Sequence, residues 1–410
     1  MKVIVLGSGI IGVTTAYFLA RDGHEVVVLE KNNAAGTGCS FANGAQLSYS
    51  HNGMIASKDN LIQALQAMVK PKSFLSFGNF FNKNFFGWIY QFLGNCNKKK
   101  EIENSKKLFE LGERSREALK QILANEPQLR FDYQQTGILY FFRKEKKLSQ
   151  AVKKAELDKS FGAKINFLTP EECIAKEPIL IKLHDEKNLA GGLFYPQDAS
   201  GNIHKFITQL EEICRIKYGV KFSYNTEIKN IFTNYKKVTG INTNNGVYTG
   251  DSYVCALGAY GNKLLKGIKI STNIYPIRGY SLSAQVNEKF SAPKMAMTDI
   301  ENRIVYSRIG NIFRIAGAVE FTSFIATPKQ KLFAFLHKVA KSSFSDYGNV
   351  DEKLNWSGFR PCCPDSLPLI CKVEKYNNLY LNMGHGFLGW TLSAASGEII
   401  ADMVRENDKQ

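Results

Sequence analysis

Several features that mark other protein classes are missing from this sequence of 410 residues. It has no run of about 18 apolar residues, the length that a helix needs to span a bilayer. Its eight cysteines form no C-x-x-C pair, which argues against a zinc site and favours buried, reduced thiols over a disulfide framework. No internal repeat of about 20 to 50 residues is visible, so a repeat architecture is not expected. The sequence therefore predicts a globular protein with no bound metal.

Acidic residues are scarce relative to basic ones. The chain has 53 Lys and Arg against 37 Asp and Glu, which gives a net charge of +16. Such an excess suits nucleic acid or an anionic membrane surface. The lysines are dispersed, however, and the densest run is only three residues at 98–100, so nucleic-acid binding is not expected. The N-terminus lacks a small-x-small cleavage site, and we expect a cytoplasmic protein.

A glycine-rich turn stands close to the N-terminus. The run VIVLGSGIIG (3–12) places three glycines at the spacing G-x-G-x-x-G, between a predicted buried strand and a predicted helix at 10–23. A second predicted strand, 24–30, ends at Glu30, roughly 20 residues after Gly12. This order predicts a dinucleotide site, in which the helix N-terminus attracts the pyrophosphate and the acidic residue accepts ribose hydroxyls. The motif alone does not separate FAD from NAD.

Two later segments also place small residues where a strand gives way to a helix. Segment 379–404 contains a predicted strand, the turn GHGFLGWT and an amphipathic helix, and segment 251–265 contains a strand that ends in Ala-x-Gly. In segment 379–404, backbone N–H groups and the helix dipole can stabilise the negative charge of a reduced flavin. Segment 251–265 is typical of a late strand of a dinucleotide-binding sheet, which returns to the edge where the ligand lies. A C-terminal packing helix with a tight turn is the alternative interpretation.

An arginine and an aromatic segment complete the candidate features. Arg360 stands among prolines in WSGFRPCCPDSLPLI (356–370). A rigidly held arginine suits bidentate binding of a carboxylate, although an ordinary ion-paired arginine fits the residues equally well. Segment 74–95 is rich in phenylalanine and has lysines in or beside it. That composition suits an anionic lipid interface, and a core helix over the active site is the alternative.

These motifs together resemble one family over the whole chain, in order. The likeness is to the FAD-dependent D-amino-acid dehydrogenases of the small-subunit type, in the D-amino-acid oxidase and glycine oxidase superfamily. It rests on GSGIIG with Glu30, SFANGAQLS (40–48), YPIRGYSL (275–282), GFRPCCPDSLPLI (358–370) and NMGHGFLGWT (382–391). Departures at Phe387 and in RPCCPDSLP (360–368) leave the cofactor motifs intact and concern the shape of the substrate pocket.

The resemblance implies non-covalent FAD and assigns residues to each part of it. The residues expected to hold the pyrophosphate are Gly7, Ser8, Gly9, Ile10, Ile11 and Gly12. Glu30 and Lys31 would hold the adenosine ribose. The loop that runs past the pyrophosphate toward the flavin contains Ser40, Asn43, Gly44 and Gln46. Ile228 stands at the adenine, Ala256, Leu257 and Gly258 line the cofactor, and Gly384, His385, Gly386, Phe387, Gly389, Trp390 and Thr391 cover the pyrimidine end of the flavin.

The resemblance also implies a substrate site. Arg360 would hold the substrate carboxylate, and Tyr280, or less directly Tyr49 or His51, would help to orient the substrate. His385 is the third candidate catalytic residue, and we expect it to face the flavin rather than shuttle a proton. The implied reaction is oxidation of a D-amino acid, D-alanine or a similar small neutral one, to a 2-oxo acid and ammonia. D-proline is an alternative substrate.

The electrons from that reaction are expected to pass to a quinone or another respiratory acceptor, with peripheral contact to the inner face of the cell membrane. An oxygen-using oxidase of the glycine or sarcosine type is the alternative among enzymes. An inactive flavin-binding scaffold or a tRNA-modifying flavoprotein is the alternative from another class.

We predict an α/β fold in which the FAD-binding domain is Rossmann-like and discontinuous. It comprises 1–56, 197–271 and 350–410, and an α+β substrate domain with an antiparallel sheet comprises 57–196 and 272–349. The chain is long enough for two such domains. A pocket between them is a common place for a small-molecule site.

Overall fold

The computed structural model describes residues 1–50, 53–68, 74–78, 83–286, 292–344 and 347–408. The helices are α1 (Ile10–Arg21), α2 (Lys58–Met68), α3 (Lys83–Asn95), α4 (Lys98–Asn125), α5 (Glu145–Ser160), α6 (Pro170–Lys176), α7 (Ile181–Asp185), α8 (Ile203–Tyr218), α9 (Gly261–Gly267), α10 (Gln330–Ser343) and α11 (Gly389–Asp408).

The strands form two large sheets and two small ones. They are β1 (Lys2–Leu6), β2 (Glu25–Leu29), β3 (Gln46–Leu47), β4 (Leu75–Phe77), β5 (Ile138–Phe142), β6 (Asn166–Leu168), β7 (Gly191–Tyr195), β8 (Ala199–Ser200), β9 (Lys221–Ser223), β10 (Ile228–Asn234), β11 (Lys237–Thr243), β12 (Gly246–Tyr248), β13 (Ser252–Cys255), β14 (Tyr275–Gln285), β15 (Ala296–Asp299), β16 (Ile304–Ile309), β17 (Ile312–Phe321), β18 (Asn349–Val350), β19 (Trp356–Cys362), β20 (Leu369–Lys372) and β21 (Leu379–Met383).

The first large sheet has the order β20-β21-β13-β1-β2-β9, and every pair is parallel except β20 with β21. The predicted strands near the N-terminus are confirmed as β1 and β2. Residues Val3 to Leu6 are fully buried, as a continuous apolar strand covered on both faces requires. α1, predicted to run to Gly23, ends at Arg21, and Asp22 is its C-cap.

The first and last helices of the chain pack directly against each other. A Cβ on Gly397 of α11 would lie 2.9 Å from the backbone of Thr14 in α1. The Thr14 hydroxyl donates to the carbonyl of Ser393 at 3.1 Å. Since glycine has no side chain, the two helices approach to backbone contact, and both ends of the polypeptide meet beside the parallel sheet.

The second large sheet follows the order β18-β14-β17-β16-β15-β5-β7-β6, with β19 on β14 and β4 on β17. It is antiparallel as predicted, except for the parallel pairs β15–β5 and β17–β4. The register between β14 and β17 shifts next to Gly279, and Ala318 lies at φ +53° as the additional residue. This β-bulge bends the strand next to the candidate site.

Two elements pack against the predicted domain to which they were not assigned. β19, in the range 350–410 that was assigned to the cofactor domain, pairs along seven residues with β14 of the second sheet. α4, in the range 57–196, contributes Ala118 and Leu119 to the core around α1, α8 and α11. The boundaries themselves stay a prediction.

Three expectations about composition can be compared with the described residues. None of their helices has the length and apolar character that crossing a bilayer requires. All eight cysteines are free thiols, six of them buried. No group of three or more His, Cys, Asp and Glu side chains is arranged around a metal position in this part of the chain.

The close contact beneath the glycine-rich turn yields a prediction about stability. A Cβ on Gly12 would overlap the carbonyl oxygen of Gly7, a backbone atom that cannot rotate away. Gly12→Ala should therefore lower the free energy of unfolding by about 1–3 kcal/mol, the usual cost of overpacking. Gly9→Ala is the matched control, because its Cβ would meet only the Ser40 hydroxyl at 3.5 Å. Urea unfolding curves that show equal stability for the two variants would contradict this account.

Candidate active site

A continuous cleft of about 2420 Å³ separates the two large sheets. One wall contains Gly7, Glu30 and Ala256, at the carboxyl ends of β1, β2 and β13. The opposite wall contains Ile277 and Ala316 of the second sheet. The carboxyl edge of parallel strands is the usual ligand position in such sheets.

The turn between β1 and α1 is shaped to hold an anion. Gly7 has φ +100°, and a Cβ there would lie 3.0 Å from the carbonyl of Ala256. Gly9 is the N-cap of α1, without a side-chain cap, and the first turn of the helix has no acidic residue. The N–H of Ile10 donates to the Ser40 hydroxyl at 3.2 Å. The positive end of α1 is therefore open toward the cleft, as a pyrophosphate requires.

Glu30 is held at the end of β2 by three hydrogen bonds. Its Oε2 accepts from the N–H and the hydroxyl of Ser8, at 2.9 and 3.0 Å. Its Oε1 accepts from the N–H of Asn32 at 3.0 Å. A carboxylate has about four acceptor positions, so an oriented Glu30 can still accept from a ribose hydroxyl. Next to it, the Lys31 ammonium lies 4.3 Å from the ring centre of Tyr260.

The loop that follows is fixed by hydrogen bonds within itself and by contacts with the second sheet. The Asn43 side-chain oxygen accepts from the N–H of Ala45 at 2.9 Å. The Gln46 amide donates to the carbonyl of Met297 at 3.0 Å. A Cβ on Gly44 would lie 3.0 Å from Val305. The side chains of Asn43 and Gln46 thus fix the loop beside the cleft, which both residues line.

His385 lies in the turn between β21 and α11 and has an unusual environment. It is 4 % exposed, it lines the cleft, and neither ring nitrogen has a hydrogen-bond partner among the described residues. Burial lowers its pKa to about 3, so the ring is neutral at physiological pH. The N–H of Gly386 donates to the carbonyl of Pro361 at 2.8 Å. Buried polar groups are almost always paired, so the imidazole indicates a polar partner that a ligand supplies.

The first residues of α11 support the cleft mainly by packing. The Trp390 ring lies 6.4 Å from Phe131 and 6.5 Å from Phe206 in the core. The Thr391 hydroxyl accepts from the N–H of Ser48 at 3.1 Å. Phe387 is 47 % exposed at the edge of the cleft. These side chains position the N-terminal turn of α11, which lines the same cleft as the N-terminal turn of α1.

Arg360 is held flat against the second sheet. It lies on β19 opposite Ile277 of β14, and a Cβ on Gly279 would overlap its guanidinium group. Within the described residues Arg360 has no ion pair and no hydrogen bond. A glycine inside a strand often marks such a close approach, and YPIRGYSL carried this signal in the sequence. The result is a positioned cation without a partner on the wall of the cleft.

Tyr280 lines the cleft, and its hydroxyl already has partners within the protein. Its side chain is 1 % exposed, its hydroxyl donates to Glu320 and accepts from the N–H of Lys329 at 3.1 Å. Burial raises the pKa of Tyr280 to about 12, so the phenol stays protonated. This arrangement engages the hydroxyl inside the protein, and a contact with substrate stays a prediction. Tyr49 is buried in the core around α1, and His51 lies outside the described residues.

The structure brings most of the predicted residues to one cleft. Its lining includes Gly7, Gly9, Ile10, Ile11, Glu30, Lys31, Ser40, Asn43, Gly44, Gln46, Ile228, Ala256, Leu257, Gly258, Tyr280, Arg360, His385, Gly386, Phe387, Gly389, Trp390 and Thr391. Ser8, Gly12 and Gly384 lie behind it. Trp88 was missed: its indole N–H donates to the carbonyl of Cys362 at 2.9 Å, which ties α3 to the strand of Arg360.

Comparison with known proteins agrees with this geometry. The family described as "DAO: FAD dependent oxidoreductase" matches residues 2–403. A D-amino acid dehydrogenase of Granulibacter bethesdensis is 36% identical over 404 residues, which cover 98% of this chain and 96% of that protein.

Two solved structures have the same fold. Glycine oxidase from Bacillus cereus has a TM-score of 0.76 at 22% identity and covers 100% of this chain and 95% of its own. L-proline dehydrogenase from P. horikoshii has a TM-score of 0.76 at 20% identity and covers 99% and 93%. The glycine-rich turn with an uncapped helix and the oriented Glu30 fit FAD, and so does His385, whose ring nitrogens have no hydrogen-bond partner in the part of the chain that the structure describes. The chain belongs to the family of FAD-dependent oxidoreductases.

Proposed function

We propose that this protein oxidises D-amino acids to 2-oxo acids and ammonia and passes the electrons to a quinone or another respiratory acceptor. The observation that carries the proposal is Arg360, a cation on the wall of the cofactor cleft that lies against Gly279 and has no ion pair or hydrogen bond with any described residue. A carboxylate is the anion that a planar guanidinium binds through two parallel hydrogen bonds. The name of the Granulibacter relative supports the same substrate class.

Arg360 does the main work of positioning in this proposal. Because it binds the carboxylate, Arg360 determines which face of the α-carbon points toward the cofactor. That orientation gives the preference for D-amino acids. When bound, FAD supplies the chemistry by accepting a hydride from that carbon. The substrate amine must be neutral so that its lone pair is available. Correct orientation supplies much of the rate in such a reaction, so no general base is required.

His385 serves this reaction as a neutral group. With its pKa near 3, the imidazole carries no charge between pH 5 and 9. It can donate or accept a hydrogen bond to the cofactor without taking the substrate proton. Water then hydrolyses the imino acid product to the 2-oxo acid and ammonia.

A substrate panel tests the proposed reaction. We expect D-alanine and other neutral D-amino acids, D-proline included, to reduce an artificial dye, whereas L-amino acids do not. Hydrogen peroxide should remain low in air, because the proposed acceptor is not oxygen. Stoichiometric hydrogen peroxide without dye reduction would favour the glycine or sarcosine type of oxidase, and oxidation of L-alanine alone would contradict the proposal.

Arg360→Ala tests the carboxylate site. Removing one partner of a charged hydrogen-bonded pair costs about 2–5 kcal/mol, so kcat/KM for D-alanine should fall by roughly 30-fold to 5000-fold, mainly through KM. The flavin content should match that of the wild type. Arg215→Ala is the control, since that arginine is 54% exposed on α8. An unchanged KM in Arg360→Ala would show that another group binds the carboxylate.

We also propose that the protein acts at the inner face of the cell membrane. α3 has two different sides: Phe85, Trp88 and Phe92 are buried, whereas Tyr90 and Leu93 are 80 % and 48 % exposed. The core-helix interpretation of segment 74–95 therefore fits the buried side of α3, and the lipid-interface interpretation fits its exposed side. An exposed apolar stripe in a chain of net charge +16 suits an anionic lipid surface.

Membrane contact predicts a salt-dependent distribution. The protein should sediment with anionic phospholipid vesicles at low salt and return to the supernatant at about 1 M salt, where the Debye length falls to about 3 Å. Neutral vesicles provide the control, and should retain less protein. Complete recovery in the supernatant at low salt with anionic vesicles would contradict membrane contact.

A further inference from the structure

The loop at 40–46 is attached to the second sheet through three consecutive carbonyl groups, those of residues 42–44. Ser281 on β14 donates its hydroxyl to the first carbonyl at 2.8 Å. Arg314 on β17 donates to the second at 3.4 Å, and Ser307 on β16 donates its hydroxyl to the third at 2.8 Å. Because β17 lies between β14 and β16, three neighbouring strands each supply one donor to the same loop.

Arg314 differs from the two serines because it brings a charge to the loop. It is partly buried, its Nε has no hydrogen-bond partner, and no acidic side chain of the described residues forms an ion pair with it. Burial lowers the pKa of Arg314 to about 10, so the guanidinium is still charged at physiological pH. A charge that is partly removed from water without a counter-ion costs stability. Since two serines already hold the loop, this charge indicates a role beyond anchoring.

The two ends of the loop show which part of the cofactor lies closest to this charge. Ser40, at the first end, accepts from the N–H of Ile10 at the start of α1, where the pyrophosphate binds. Segment 42–44 bonds to the second sheet, and this sheet also carries Arg360 on the wall of the cleft. The flavin ring must reach the substrate that Arg360 binds. The ring therefore lies at the end of the loop that Arg314 holds.

The reaction places a new charge on that ring. A hydride brings two electrons and one proton, so the ring gains one negative charge. The charge of Arg360 is neutralised by the substrate carboxylate in the complex. His385 is neutral, because burial lowers its pKa to about 3. Arg314 keeps its positive charge throughout, since the group that it contacts is a neutral carbonyl.

We propose that Arg314 is a positioning residue that makes bound FAD easier to reduce: it holds the loop through the carbonyl of Asn43 and leaves its positive charge behind the loop, where the charge stabilises the anionic, reduced ring. Such electrostatic stabilisation is strong where water is excluded and the charge is already in place. This inference rests on the proposed function for the location of the ring beside Arg360.

The test measures the reduction potential of the flavin in the holoenzyme, by anaerobic titration with dithionite against a reference dye. Arg314→Gln keeps a donor for the Asn43 carbonyl and removes the charge. At a fixed potential, its ratio of reduced to oxidised flavin should be about tenfold lower than in the wild type, a shift of about 30 mV to lower potential for two electrons. Arg314→Lys keeps the charge and should stay within about twofold, or about 9 mV.

Ser283→Asp tests the same charge without changing the arginine. Ser283 lies directly opposite Arg314 in the antiparallel pair, and its buried hydroxyl has no hydrogen-bond partner in the described part of the chain. Directly opposite side chains lie on the same face, so the new carboxylate would neutralise Arg314 and should lower the potential as Arg314→Gln does. This variant decides the question if Arg314→Gln does not retain its flavin.

Arg308→Gln is the matched control. Arg308 lies on β16, and its guanidinium donates to the carbonyl of Gly310 in its own hairpin. The variant loses the same charge from the same sheet and should leave the potential unchanged.

Two results would overturn the inference. One is a wild-type potential in Arg314→Gln or, where that variant loses its flavin, in Ser283→Asp. The other is a fall in Arg314→Lys or Arg308→Gln as large as that in Arg314→Gln. Failure of the proposed function looks different, because D-alanine would then leave the wild-type flavin oxidised while the dithionite titrations still differed between the variants.

Discussion

The contact between the first and last helices is the constraint on which the rest of the cleft depends. Gly397 lets α11 approach the backbone of Thr14 in α1, and each of these helices begins beside the cleft. A helix N-terminus carries about half a positive charge in its unpaired N–H groups. Two such termini beside one cavity suit a ligand with negative charge at separate points. A dinucleotide flavin has this property, with a pyrophosphate and a ring that becomes anionic when reduced.

A second constraint concerns the charges on the opposite wall. Glu320 is fully buried and accepts from Tyr280, with Arg278 at 3.3 Å and Lys329 at 3.2 Å. Burying a charge is costly unless it is paired, and this cluster meets that requirement within the protein. Arg360 lies on β19, the strand next to that of Arg278, and is half-buried with no acidic partner among the described residues. The charges around Glu320 therefore stabilise the sheet, whereas the Arg360 guanidinium is available to a substrate.

Local patterns predicted the parts of this protein that are local in origin. The turn after β1, Glu30 after β2 and the junction before α11 each lie within a short segment, where the order of residues decides the backbone path. Tyr280 shows where this reasoning stops. An alternating strand pattern says that its side chain points to one face of the sheet, but not that Glu320, forty positions later, lies there to engage the hydroxyl. Trp88 was missed for the same reason, because its partner is the carbonyl of Cys362.

By itself, the sequence determined the strand–turn–helix units, the glycines that permit close approach and the presence of one arginine fixed among prolines. These follow from steric limits and hydrogen bonding within a few residues. Tertiary structure alone decided that β19 joins the second sheet, that Arg360 rests on Gly279, and that α3 buries one aromatic side and exposes the other. Each of these depends on which distant segments pack together when apolar area is removed from water. The local sequence of one segment does not show which distant segment it will contact.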